Sequence, residues 1–138
     1  MKIIHFTEGA TNELAEFNSR GARFVPLADG DGDTHVSCIH LAAGAEISAP
    51  PLTHDSALLI VHGSVTVVVA DGGAHLELSS GVGMVVEINE GYALKSSFGA
   101  ILIVVESGWL EATELGISTP ARIAGQRWPG ECSKIRSD

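Results

Sequence analysis

Residues 44–63, GAEISAPPLTHDSALLIVHG, are the stretch that decides how this chain is read. Gly44 opens it, Pro50-Pro51 and His54-Asp55 follow, and the apolar run Ala57–Val61 carries it to Gly63. The segments on either side have the same texture. HVSCIHL (35–41) precedes it as an alternating strand, and SVTVVVA (64–70) follows it as a second one. Asp71-Gly72-Gly73 is a strong hairpin signal, because these residues accept the positive φ angles of tight two-residue turns. Residues 75–78 return as the partner strand, 84–88 and 100–106 read as two more, and Gly81–Gly83, Asn89-Glu90-Gly91 and Gly99 mark the breaks.

Strands therefore recur at roughly 8–12-residue spacing, the pattern of an all-β sandwich or barrel. Ala57–Val61, Val67–Val69 and Ile101–Val105 are apolar at both parities. A strand with one face in water alternates, so these strands need cover on both sides. The barrel interior covers one. A second copy of the chain is the economical cover for the other, and a homodimer is expected.

Composition limits what else the chain can be. Its 138 residues fit one domain, and 45% hydrophobic content with a mean hydropathy of +0.25 argues for a packed core rather than disorder. Sixteen glycines, well above the usual ~7% share, suit many turns. The formal net charge is −9 and the eight Lys and Arg are scattered, so no phosphate-neutralising surface for nucleic acid is expected. No apolar run reaches the ~18 residues of a membrane span, and the opening MKIIHFTEGATNE turns polar too early for a secretory leader. A cytoplasmic location with free thiols at Cys38 and Cys132 is the default.

Toward the ends the pattern is weaker. Residues 2–6 and 23–27 read as strands, with Pro26 favouring a sheet edge. Thr11 is placed to cap a short helix through Phe17. Thr119-Pro120 begins another helix over Ala121–Arg127, and Trp109 and Trp128 are expected to anchor a C-terminal extension, 107–138, on a barrel core of about 36–106. Asp29-Gly30-Asp31-Gly32-Asp33 has the alternating aspartates of a calcium loop, but Thr34 and His40 stand where glycine and glutamate are required. An ordinary hairpin turn is the preferred interpretation.

The order of strands and glycines resembles the cupin superfamily of small jelly-roll barrels. The first cupin motif, G-x5-H-x-H-x3-E-x6-G, anchors on Gly44 and ends on Gly63; the second, G-x5-P-x-G-x2-H-x3-N, anchors on Gly83 and passes through Gly91. The resemblance implies an all-β, single-domain jelly-roll β-barrel with short terminal helical segments. It also implies a divalent metal held by three histidines and a glutamate. Those positions fall on Pro50, Leu52, Ser56 and Leu94, with Asn89 and Phe98 at the other motif positions. Proline and leucine have no side-chain donor, whereas such a site needs three or four N or O donors at ~2.0–2.2 Å. The expectation is a cupin-like barrel with no metal and no cofactor.

Three functions fit these residues. The first is a metal-free protein that binds a small, apolar or mixed ligand in the barrel or serves a structural role, with His40, Leu52, His54, Ser56, Tyr92 and Leu94 as barrel-lining candidates. The second is a cupin-type oxygenase or isomerase with a metal relocated to His40, His54 and an acid such as Asp55 or Glu87. The third is a metal-free sugar isomerase or epimerase with a histidine base paired with a carboxylate, and Tyr92, the single tyrosine, as acid. Whether the chain is an enzyme stays open at this stage. Strand parity places His54, Ser56, Leu58, Ile60 and His62 on one face. Taken singly, each of the six histidines is more often a surface or hydrogen-bonded residue than a ligand.

Overall fold

Two long strands organise the barrel. In the computed structural model, which describes residues 1–15, 19–69 and 75–114, they are β3 (Thr34–Ala49) and β4 (Asp55–Val69). The others are β1 (Asn12–Glu13), β2 (Arg20–Gly30), β5 (His75–Ser79), β6 (Gly83–Val86), β7 (Tyr92–Ser96) and β8 (Ala100–Ser107). A single 3-10 turn, Glu8–Ala10, precedes them.

All pairing is antiparallel. The first half of β3 pairs with β2 and β8, while its second half pairs with β7. The first half of β4 pairs with β8 and β6, and its second half with β7 and β5. Strands β3, β8, β4 and β7 therefore close a ring, and the two long strands turn from one sheet into the other. Edges remain outside this ring: among the described residues β5 and β6 pair only with β4, and β2 has only the two-residue β1 beyond β3. The fold is a jelly-roll barrel.

The core follows from strand parity. Leu41, Ala45 and Ile47 from β3, Leu58, Ile60, Val65 and Val67 from β4, Leu94 from β7, and Ala100, Leu102 and Val104 from β8 pack together in the interior. In β4 the buried set shifts from even positions (56, 58, 60) to odd ones (65, 67). The register explains the shift: Ile60 faces Leu102 and His62 faces Ile101, so Val61 is an extra residue, a β-bulge. Gly63, at φ +80°, follows the bulge, and a Cβ there would collide with the Gly99 carbonyl. Gly83 is constrained by close approach instead, since a Cβ would meet the Leu58 carbonyl. The positions of Gly63 and Gly83 thus reflect contacts between strands, whereas Gly44 stands in open space at φ +82° and is set by its backbone angle.

The outer faces of the two sheets differ. Across the second sheet, Arg20, Glu46, Lys95, Thr66 and Glu77 form a polar row, with Arg20 paired to Glu46 at 3.0 Å. On the first sheet the outward residues include Ala57, Leu59 and Val61 beside Ile103 and Val105, and Leu59 and Val61 are 44% and 46% exposed. The N-terminal segment crosses part of that sheet. Cys38 faces outward yet is fully buried, its thiol near the Phe6 carbonyl, and burial raises its pKa. Cys38 is a free thiol.

Several local expectations change. Asn12 and Glu13 form a strand against Arg23 and Phe24, not a helix. Thr11 binds instead: its hydroxyl donates to the Glu8 carbonyl at 2.6 Å and accepts from Arg23 Nε at 3.0 Å. Residues 2–6 form no strand, although Phe6 lies against β3. The aspartate-glycine tract is the hairpin turn expected of it, between β2 and β3, with Gly32 and Asp33 both at positive φ. Trp109 is 72% exposed, and the chain after β8 is held by backbone bonds instead, Leu110 N–H to Asp55 and Gly108 N–H to the Gly32 carbonyl. The 71–73 turn, the 121–127 helix, Trp128 and Cys132 lie outside the described residues. No helix among the described residues is long and apolar enough to cross a membrane.

Candidate functional site at the barrel mouth

The loop after β3 and the loop before β7 are joined by backbone bonds. Leu52 N–H donates to the Glu90 carbonyl at 3.0 Å, and Asn89 N–H donates to the Leu52 carbonyl at 2.9 Å. This holds the two motif segments side by side at one end of the barrel. Leu52 then packs against the core, while Pro50 is exposed. Ser56 and Leu94 are each 1% exposed, and Leu94 sits in register between Ile47 and Val67. The positions where the cupin motifs carry metal ligands thus hold hydrocarbon and one buried hydroxyl. A divalent cation does not fit that set, since it would lose its hydration and gain at most one weak donor. Among the described residues no three His, Cys, Asp or Glu side chains come together in an arrangement that could hold a metal ion.

Polar groups gather just above this hydrocarbon. Ser56 pairs in register with Glu106 on β8. Tyr92 is close enough to feel the Glu106 charge; burial first, and that charge second, push its pKa up to about 12. Pro50, Pro51, Leu52, Thr53, His54 and Glu106 line a cavity of about 230 Å³. Its floor and one wall are apolar, and Thr53, His54 and Glu106 supply the polar atoms.

His54 is held at both ring nitrogens. Nε2 lies 3.2 Å from Asp33 Oδ2 and Nδ1 lies 3.0 Å from Thr53 Oγ1. A carboxylate only accepts, so Nε2 carries a proton; Nδ1 accepts from the threonine hydroxyl in the neutral ring and donates to it in the protonated one. The left-handed turn at Asp33, φ +58°, brings that carboxylate across to His54. A carboxylate on one ring nitrogen leaves the other, which faces only a hydroxyl, as the basic position. A histidine base paired with a carboxylate beside an open pocket is the requirement of an epimerase, and His54 with Asp33 supplies such a pair.

The structure separates the other candidates. Leu52, His54, Ser56, Tyr92 and Leu94 lie at or beneath the mouth. His40 does not line the barrel: it faces outward, and its Nε2–H donates to the Phe6 carbonyl at 2.8 Å. His62 also faces outward, because the Val61 bulge reverses the parity expected of a regular strand. Asp55 is committed elsewhere: Oδ1 accepts from Ile88 N–H at 2.8 Å and Oδ2 from Leu110 N–H at 2.9 Å. Those two bonds, that to Leu110 first, lower its pKa. Glu87 is exposed, and its backbone N–H is bound by the Glu90 carboxylate at 2.7 Å. The group suggested for a relocated metal is therefore dispersed.

Two residues at this mouth, Glu106 and Asp33, stand outside the barrel-lining candidates, Asp33 having figured only in the aspartate-glycine tract. An acid that ends an otherwise unbroken apolar strand, AILIVVE (100–106), was the available signal for the first. For Asp33 there was none, since its link to His54 exists only through the fold.

Known structures place this architecture. The polyketide cyclase RemF from Streptomyces resistomycificus superposes with a TM-score of 0.69 at 16% identity, covering 79% of this chain and 80% of that one. An RmlC-like cupin from Shewanella frigidimarina gives 0.62 at 21% identity, over 79% and 95% of the two chains. KdgF from a Halomonas species gives 0.62 at 17% identity, over 80% and 97%. No protein-family model and no curated protein matches the sequence. The chain has the jelly-roll fold of the cupin superfamily.

Proposed function

We propose that this protein is a metal-free cupin-fold binding protein that takes a small molecule of mixed polarity at the barrel mouth and acts as a homodimer. One observation supports the reading above the others. The barrel centre is filled by Leu58, Leu94, Leu102 and Val67, all at most 1% exposed, while a cavity stays open beside Glu106 and His54. A ligand there would rest an apolar surface on Leu52 and Pro51 and donate an O–H or N–H to the Glu106 carboxylate. Such a division between apolar walls and a few polar groups is typical of small-molecule sites.

The relocated-metal reading is less well supported, because its ligand set is dispersed; the epimerase reading keeps one supporting feature, the His54–Asp33 pair at the mouth, and an isomerase assay on His54→Gln would test it. The homodimer rests on the contrast between the sheets. One presents a charged row to solvent, the other exposed leucine and valine.

Two measurements test the function. Metal analysis of protein purified without a chelating tag should find no stoichiometric metal, and iron, manganese, nickel or zinc at one equivalent would refute the reading. A thermal-shift screen of phenols, polyols and small amines should yield stabilising compounds whose effect is lost in Glu106→Gln. Compounds that stabilise both proteins equally would place binding elsewhere.

A further inference from the structure

At the end of the barrel away from the mouth, on its outer surface, four side chains form a row across four strands. Arg23 on β2 is in register with His40 on β3, His40 with Ile101 on β8, and Ile101 with His62 on β4. Adjacent strands lie about 4.8 Å apart, so the two imidazoles stand on backbones roughly 10 Å apart with Ile101 between them. All four line a cavity of about 300 Å³. Phe98, which is 90% exposed, also borders it.

With its histidines neutral the cavity carries one positive and one negative charge, Arg23 and Glu8, in a chain whose net charge is −9. Arg20 is neutralised by Glu46 at 3.0 Å, whereas Arg23 has no carboxylate within ion-pair distance among the described residues. Thr11 takes Arg23 Nε–H through its hydroxyl at 3.0 Å and one Nη2–H through its carbonyl at 2.8 Å. A guanidinium has five N–H donors, so about three remain to face a ligand. His62 has no hydrogen-bond partner among the described residues, and Glu8 is the only acid in the lining.

We infer that this cavity is a second binding site, outside the barrel, for a small oxyanion attached to a flat apolar group, as in an aromatic carboxylate or aryl phosphate. The oxyanion accepts from Arg23 and, when they are protonated, from His40 and His62. The guanidinium fork matches the geometry of such groups. The ring of the ligand lies against Phe98 and Ile101, where aromatic contact adds to burial. A metal cation is disfavoured, because Arg23 stays charged and would repel it.

Benzoate titrated into the full-length, isotope-labelled protein tests this through backbone amide shifts. Saturable shifts are expected at Ala42, Gly99 and Ile101, with Glu106 unmoved. Phenyl phosphate should perturb the same amides, and inorganic phosphate should bind several-fold more weakly than either. Arg23→Gln should weaken benzoate at least about tenfold, the effect of losing a charged hydrogen bond. Because that change also removes the bonds to Thr11, two variants without such bonds decide the matter. His62→Gln and Phe98→Ala should each weaken binding several-fold with melting temperature unchanged. Benzoate affinity unaltered in both, shifts that do not saturate, or shifts confined to Glu106 and His54 would overturn the inference.

Discussion

Asp55 Oδ2 accepts the backbone N–H of Leu110 at 2.9 Å, joining the first residue of β4 to the chain that leaves β8. The other oxygen takes the Ile88 N–H at 2.8 Å. One carboxylate thus fixes two loops to the base of a central strand. Asp55→Asn keeps the shape but gives one of the two amides a second donor to face. Its melting temperature should fall by several degrees at neutral pH. The folded pKa lies below the ordinary 3.8, so this contribution is complete above pH 3.8 and is lost as pH falls through the lowered value. The wild-type and variant melting curves should therefore converge in strong acid, and a gap that persists there would disprove the assignment.

Leu94→Ala should test whether the former ligand position is structural. Leu94 is 1% exposed between Ile47 and Val67, so truncation leaves a cavity and should cost about 2–5 kcal/mol in denaturant unfolding. A loss below 1 kcal/mol would mean that the barrel centre is not packed around it.

Tyr92, the only tyrosine, gives an isolated ultraviolet titration. Ionisation should occur at about 12 in the native protein. In Glu106→Gln it should move down, because one negative neighbour is gone, yet stay above the ordinary 10 because burial, the larger cause, remains. An unchanged titration would separate Tyr92 from Glu106 and remove one wall of the proposed mouth site.

Leu59→Glu should dissolve the proposed homodimer. Leu59 projects from the outer face of the first sheet beside Ile103 and is 44% exposed. An uncompensated carboxylate buried in an apolar interface costs on the order of 3 kcal/mol, about a hundredfold in dissociation constant. Light scattering should show a dimer for the wild type and a monomer for the variant. A monomeric wild type would remove the dimer from the proposal.

Much of the barrel was legible because its glycines answer to neighbouring backbone. Gly63 and Gly83 each pass so close to another strand that no side chain fits, and that constraint is what their spacing carries. Leu52, Ser56 and Leu94 could be placed near one another only through the resemblance, as the positions where the cupin motifs carry ligands. The facing of His62 could not be read, because a single extra residue at Val61 reverses parity and leaves no compositional trace. His40 was hidden differently: its strand alternates as expected, but the N-terminal segment covers an outer face that a local pattern cannot distinguish from an inner one. Thr11 had the makings of a helix cap, and the tertiary bond from Arg23 prevailed over that local preference.

The ring closed by β3, β8, β4 and β7 also sets how the chain must reach its native state. Glu106 pairs with His35 and Tyr92 with Ala49, so the bonds that seal the barrel join segments made early and late in synthesis. Entropy is lost before such distant partners meet, which slows folding in proteins dominated by non-local contacts. Until β8 docks, Leu58 and Leu102 have no shelter on that side. The late strand is therefore the one whose delay would leave the nascent chain open to aggregation.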